Sequence, residues 1–270
     1  MVVPTGWLPE LEDWGFLASA TAPLFGAPAG FVPPPSMSFR GILKVENQNP
    51  LNSCVGHGLS SGLECLAYLK SRVRVQLSRM FAYIAAQRAT GIKTDDGANI
   101  AGGIRAMAET GCCEESELPY TGRYFNQLPA AAVEAAGKHR ILGHQDLNTY
   151  EEVRDWIAMG KGPVVFGVTW YRRLIDCQGR VTPDALRGGS VGGHCMVFAG
   201  YSGEKDSAGD LLLDNLNSHG TGWGDGGWAQ WTPDAIRRAL DQERRSRAFI
   251  GITDITGFDA NRLIDFSKVV

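Results

Sequence analysis

Gln48-Asn49-Pro50-Leu51-Asn52-Ser53-Cys54-Val55-Gly56-His57-Gly58 sets a cysteine where a polar stretch turns apolar, with a glutamine six residues before it. Beyond it, Leu59, Leu63, Leu66, Ala67 and Leu69 recur at helical spacing. Ser53 to Leu69 therefore reads as a helix with Ser53 as N-cap and Cys54 at its start. A thiol there faces unpaired amide hydrogens and the positive end of the helix dipole, which favour thiolate over thiol. Gln48, on the preceding loop, can set its side-chain NH2 beside the sulfur as an oxyanion donor together with the Cys54 backbone N–H.

The base this thiol needs stands far downstream, in Gly192-Gly193-His194-Cys195-Met196-Val197-Phe198-Ala199-Gly200-Tyr201, where a histidine opens a run that reads as a buried strand. His57, His139, His144 and His219 compete for the role, but none of them begins an apolar strand after a glycine pair. Next comes Leu211-Leu212-Leu213-Asp214-Asn215-Leu216-Asn217-Ser218-His219-Gly220-Thr221-Gly222-Trp223-Gly224, a strand, an amide side chain and a Gly/Trp-rich turn. Cysteine, histidine and asparagine in that order suit a thiol hydrolase whose base is oriented by an amide. Asn215 is a rival for that amide, lying two residues earlier and so on the same side of a strand.

On these residues the chain resembles the papain-like cysteine peptidases. The glutamine-to-cysteine spacing, the Gly-His strand and the Asn217 to Gly224 segment carry the resemblance. Leu118-Pro119-Tyr120 and Lys161-Gly162-Pro163-Val164-Val165-Phe166-Gly167-Val168 echo it more weakly, so it spans roughly residues 36 to 255. It implies an α+β, two-lobe fold, a helical lobe plus an antiparallel β-barrel-like lobe with the cleft between them. It also implies roles: Cys54 as nucleophile, His194 as general acid and base, Asn217 as its orienter and Gln48 as oxyanion donor. Gly97, in Asp95-Asp96-Gly97-Ala98-Asn99, resembles the family's substrate-backbone glycine. The implied activity is endopeptidase cleavage of a peptide or protein lying extended across the cleft, with no cofactor and no metal. The chain departs from the family pattern at Val55, at Asn52-Ser53 and at His219, which replaces the tryptophan that usually shields the His–Asn hydrogen bond. Asn217 inherits its role from the surrounding Ser-x-Gly-Thr-Gly-Trp-Gly context.

Residues 36–139 are expected to form the helical lobe and 140–257 the mainly β lobe, flanked by an N-terminal arm, 1–35, and a C-terminal tail, 258–270. The arm is rich in Pro, Gly and Ala, carries Trp7, Trp14, Phe16, Phe25 and Phe31, and ends in Pro33-Pro34-Pro35. Three readings stand for it: a tail on the domain surface, an arm docking the domain into a larger assembly, or a short self-blocking strap. The docking reading belongs to an alternative function, a peptidase-like structural component of an assembly such as a virus particle, active or inactive. Cell-wall endopeptidases of the NlpC/P60 type and transglutaminases also order cysteine before histidine, but they lack this glutamine combined with this Asn-Ser segment.

At 270 residues, 44% hydrophobic, the chain is long enough to bury a full core. A net charge of −3 with no long basic run argues against nucleic acid. No run of about eighteen apolar residues suits a membrane span. Charged Glu10, Glu12 and Asp13 interrupt any leader-like core, so no signal peptide is clear and cytoplasmic synthesis is expected, with incorporation in a virion or later release left open. Besides Cys54, five cysteines (Cys65, Cys112, Cys113, Cys177 and Cys195) lack metal-ligand spacing and read as reduced structural thiols.

Overall fold

The computed structural model describes residues 4–10 and 26–258. Their helices are α1 Cys54–Ser71, α2 Arg79–Ala89, α3 Ile100–Glu109, α4 Ala130–Ala136, α5 Tyr150–Ala158, α6 Arg172–Ile175 and α7 Pro233–Glu243. The strands are β1 Met37–Ser38, β2 Ile141–Asp146, β3 Val164–Tyr171, β4 Arg180–Val181, β5 Ser190–Phe198, β6 Gly200–Tyr201, β7 Leu213–Leu216, β8 Trp228–Trp231 and β9 Phe249–Ile255. The first four helices precede a seven-stranded sheet of order β2-β9-β3-β5-β7-β8-β4, antiparallel in every pairing except β4 with β8. β1 and β6 form a separate two-stranded pair.

Helix α1 is the joint between helices and sheet, buried over most of its length. Three glycines make that closeness feasible. A Cβ at Gly56 would lie 2.5 Å from the Arg79 carbonyl of α2, and one at Gly58 2.8 Å from the Cys195 sulfur of β5. At Gly62 it would lie 3.0 Å from Ile252 of β9. Each glycine costs about 1 kcal/mol of helix propensity against alanine, which the close packing on both sides offsets. The sheet end of the core is aromatic: Phe166 and Phe198 stack at 4.0 Å with Trp231 edge-on to both. The helical end contains the buried Arg79 guanidinium, 2.8 Å from Glu64 and 3.3 Å from Glu46. Burial raises the Glu64 carboxyl to about 7, although Arg79 pulls it down.

Several local expectations shift. His194 does not open its strand, because β5 begins four residues earlier at Ser190 and pairs Gly193 with Thr169. β7 ends at Leu216, which brings Asn217 directly after its last residue. Ser53 precedes α1 but makes no side-chain cap; its hydroxyl is 2.9 Å from the Tyr120 hydroxyl instead. All six cysteines are buried free thiols. No helix among the described residues is long and apolar enough to cross a membrane. Trp14, Phe16 and Phe25 of the arm, and the tail beyond Phe258, lie outside the described residues.

Candidate active site

Cys54 begins α1 and is completely buried. The backbone N–H groups of Cys195, next to His194, and of Val55 and Cys54 favour its thiolate. Those donors lower the thiol pKa, but burial outweighs them and pushes it up to about 12. The expected thiolate is therefore not the form favoured in this buried arrangement, because desolvation exceeds what the helix start supplies.

His194 Nε2 lies 2.6 Å from Asn217 Oδ1, and Nδ1 has no protein partner. Asn217 Oδ1 also accepts from the Ser218 amide at 2.7 Å, so the asparagine is fixed by its own turn. Asn215 is occupied elsewhere, accepting from the Trp231 indole at 3.2 Å and donating to the Val197 carbonyl at 3.3 Å. Of the rival histidines, His57 holds the Ser53 carbonyl at 3.1 Å and packs on Tyr120, His139 stacks on Phe258, and His144 sits in edge strand β2.

Gln48 is fixed from four sides. Its amide N–H donates to the Ser218 carbonyl at 2.8 Å, its Oε1 accepts from the Ser218 hydroxyl at 2.7 Å, and its Nε2 donates to the Leu51 carbonyl at 3.1 Å. Its own carbonyl accepts from the Tyr120 hydroxyl. Because the Leu51 carbonyl can only accept, the amide orientation is determined, and the second Nε2 hydrogen is left for another acceptor.

His219 occupies the expected shielding position, its ring stacked 4.4 Å from that of His194. Trp170 of β3, missed in the sequence, packs 4.5 Å from His194 and 5.4 Å from His219 and is fully buried. Its period-two placement in an apolar strand was the available signal, but many core aromatics share it. Burial holds His194 well below its usual value and His219 down to about 4, so both imidazoles are neutral here.

Residues 4–10 cross this site. The amides of Gly6 and Trp7 both donate to the Gly193 carbonyl at 2.9 Å, and Pro4 carbonyl meets His219 Nε2 at 3.2 Å. Across the cleft, Ala98 N–H donates to Gly6 carbonyl at 2.8 Å and Ala98 carbonyl accepts from Leu8 at 2.9 Å. Ala98, rather than Gly97, makes the paired backbone bonds, while Gly97 carbonyl receives the Gln87 amide at 2.9 Å. Trp7 is only 3% exposed, so this part of the arm is not a surface tail.

A second network joins the helical rim to the loop before Cys54. Asp95 accepts from the Asn52 amide at 3.0 Å and from the Tyr83 hydroxyl at 2.7 Å, while Asn52 Nδ2 donates to the Asp95 carbonyl at 2.7 Å. Tyr83 in turn accepts from the Gly97 amide at 3.1 Å. The carboxylate of Asp95 and the phenol of Tyr83, which hold the Gly97 loop, carry no local signal in the sequence.

Compared with solved structures, the chain superposes on xylellain, a cysteine protease from Xylella fastidiosa, with a TM-score of 0.71 at 18% identity, covering 93% of this chain and 96% of that one. The chain has the papain-like fold. The bromelain protease from Ananas comosus gives a TM-score of 0.61 at 17% identity over 82% of this chain and 99% of that one. The Amb a 11 cysteine protease, a ragweed pollen allergen, gives in its proform 0.63 at 19% identity over 82% and 67%. No protein-family model and no curated protein sequence matches the chain. In this papain-like fold stand one buried thiol, one imidazole with a free nitrogen and an oriented amide, and an extended segment of the same chain bonds to Gly193 and His219, next to and stacked on that imidazole.

Proposed function

We propose that the chain is a cysteine endopeptidase in which Cys54 is the nucleophile, His194 the general acid and base, Asn217 the orienter and Gln48 the oxyanion donor. The observation that carries this reading is the 2.6 Å contact between His194 Nε2 and Asn217 Oδ1, which leaves Nδ1 unpartnered, on a strand that packs at Cys195 against Gly58 of the helix that Cys54 begins. In the first step the proton passes from Cys54 to His194 and the sulfur attacks the peptide carbonyl, whose oxygen takes the Gln48 Nε2 and Cys54 amide hydrogens. His194 then protonates the leaving amine and later takes a proton from the water that splits the thioester.

Residues 4–10 hold the site closed. With this strap seated, water is excluded and both the thiol and the imidazole rest uncharged. The strap has to leave before a peptide can lie along Ala98 and Gly193, since it uses their hydrogen-bonding groups. Burying an indole such as Trp7 contributes on the order of 3 kcal/mol, about a hundredfold in the closed population. A docking role for the arm would have to rest on residues other than 4–10, since those are committed to the cleft.

The test is covalent labelling by a thiol-directed peptidyl epoxide, alongside cleavage of an unstructured protein. Trp7→Ala protein is expected to label and cleave on the order of 100-fold faster than wild type, and Cys54→Ala protein to do neither. Equal cleavage by purified Cys54→Ala protein would falsify the assignment.

A further inference from the structure

Two buried side chains of α1, His57 and Ser61, carry polar atoms that no described residue satisfies; they stand one turn apart and are 3% and 6% exposed. The Ser61 hydroxyl makes no hydrogen bond among the described residues, whereas that of Ser60 bonds the Gly56 and His57 carbonyls at 2.9 and 3.1 Å. His57 Nδ1 is 3.1 Å from the Ser53 carbonyl, which can only accept, so Nδ1 carries the proton and Nε2 is a bare acceptor. Burial keeps that ring neutral, lowering its pKa to about 3. Both side chains line one narrow crevice between α1 and the ends of β5 and β7. These strands pair only at Val197–Leu216 and Phe198–Asn215, and the crevice lies where their pairing stops, short of His194 and Asn217. It leaves about 10 Å³ for the centre of a water molecule, roughly what one water needs. The Asn217-Ser218 turn forms the facing wall. The Ser218 amide, hydroxyl and carbonyl are all taken, by Asn217 Oδ1, Gln48 Oε1 and the Gln48 amide. The Asn217 carbonyl receives no hydrogen bond from a described residue. Glu46, also in the wall, has its charge matched by Lys44 at 3.0 Å and Arg79 at 3.3 Å.

We propose that this crevice binds one water molecule, which accepts from Ser61 and donates to His57 Nε2 and the Asn217 carbonyl, and that His57 and Ser61 are thereby positioning residues for the His194–Asn217 pair. An internal water typically makes about three hydrogen bonds. The occupant is neutral, because Glu46 is already paired and no other carboxylate among the described residues stands in the wall. An unpaired buried hydroxyl or imidazole nitrogen is costly, and one water satisfies both. Its place gives it a function. Helix α1 carries Cys54 at its start and β7 leads into Asn217, so the water ties the nucleophile's helix to the turn that orients the base. A misplacement of about 1 Å between reacting groups costs on the order of 100-fold in rate. For that effect on turnover the inference rests on the peptidase reading; the bound water does not.

Two measurements separate this inference from the peptidase reading. A crystal structure of full-length Cys54→Ala protein reads the site without activity. One ordered oxygen is expected within about 3.2 Å of both Ser61 Oγ and His57 Nε2. Ser61→Val, which fills the crevice and removes the hydroxyl, is expected to displace it, and Ser61→Ala to lower its occupancy if the valine variant melts early. No oxygen at that place, or one that both Ser61 variants leave unchanged, overturns the inference. The second measurement is kinetic, on full-length Trp7→Ala protein, in which the strap is loosened. Adding Ser61→Val or His57→Phe is expected to cut kcat about tenfold with KM within about twofold. Each is also expected to move the acidic limb of the kcat/KM profile up by about half a pH unit, because a less well oriented imidazolium stabilises the Cys54 thiolate less. Ser60→Ala, whose hydroxyl bonds only within its own helix, is expected to change neither. If it matches the other two, a loosened α1 accounts for the loss and the inference fails. A water displaced with kcat and pH profile unchanged likewise removes the positioning role. The water found as described in a protein that cleaves nothing sinks the peptidase reading alone and leaves the water site standing.

Discussion

The imidazole rings of His194 and His219 are stacked, their centroids 4.4 Å apart and their planes 28° from parallel. Two rings so placed cannot both carry charge cheaply, and burial already disfavours either charge. His219 faces the Pro4 carbonyl through Nε2 and Asn217 Nδ2, 3.4 Å away, through Nδ1, which fixes the neutral tautomer with the proton on Nε2.

This stack makes strap closure pH-dependent. Burial lowers the His219 pKa from 6.5 to about 4, and departure of the strap would restore water to the ring. Between those values the open form binds more protons than the closed one. The His219 contribution to closure is therefore full above 6.5 and lost as pH falls toward about 4. The ratio of epoxide-labelling rates, wild type over Trp7→Ala, is expected to climb toward one across that window, because thiol reactivity itself cancels in the ratio. A ratio that stays level from neutral pH to pH 4 counts against the mechanism. Melting temperature would be a poorer readout, since Glu64, raised to about 7, favours the folded state in the opposite direction as pH falls through 7.

A second expectation concerns Asp95, which ties the Asn52 loop to the Ala98 edge through Tyr83. A hydrogen bond to a charged group contributes about 1.5–3 kcal/mol, so its loss loosens the edge along which a peptide lies. Asp95→Ala is expected to raise KM by roughly tenfold or more with a smaller change in kcat, and Tyr83→Phe to reproduce part of the effect. Steady-state kinetics on one peptide substrate decide it. A fall in kcat at unchanged KM would mean that Asp95 serves the nucleophile and not the edge.

How much of this was legible depends on whether the signal is local. The helix after Cys54, the Gly-Pro strand and the Asn217 turn each carry their pattern within a few residues, and all three form close to where the sequence puts them. Seeing that the Gly192-Gly193 pair serves the path of the arm required the tertiary structure: Gly193 lies under Trp7, and a Cβ at Gly192 would lie 2.4 Å from Thr5 Oγ1. Trp170 and Asp95 were missed for a related reason, as their partners stand 24 and 43 residues away, at His194 and Asn52. A helix start, which favours thiolate, is visible in sequence, whereas the burial that pushes the Cys54 thiol up beneath the closed strap is not.

Ser218 sets the Gln48 side chain through its hydroxyl, and its carbonyl holds the Gln48 amide. Ser218→Ala removes only the first, leaving Nε2 tethered to Leu51. Turnover is expected to fall by less than the roughly 10²–10³-fold typical of losing one oxyanion donor, which Gln48→Ala should show in full. Equal losses in the two variants, in a single-turnover acylation assay, would assign the serine a role beyond orientation.

Trp170 supplies the apolar cover that His219 cannot, since it packs on both imidazoles and on Trp223 at 6.1 Å while its own surface is fully enclosed. Truncating a buried tryptophan to alanine costs about 3–5 kcal/mol, because the surrounding groups do not collapse into the space. At roughly 2–4 °C per kcal/mol for a chain of this class, Trp170→Ala should melt on the order of 10 °C lower. Trp170→Phe keeps a ring against His194 and should recover at least half of that difference. The cavity would also admit water to the His194–Asn217 contact, so residual turnover in the alanine variant should fall further than in the phenylalanine one. If both variants keep wild-type melting and turnover, the shielding must come from His219 alone.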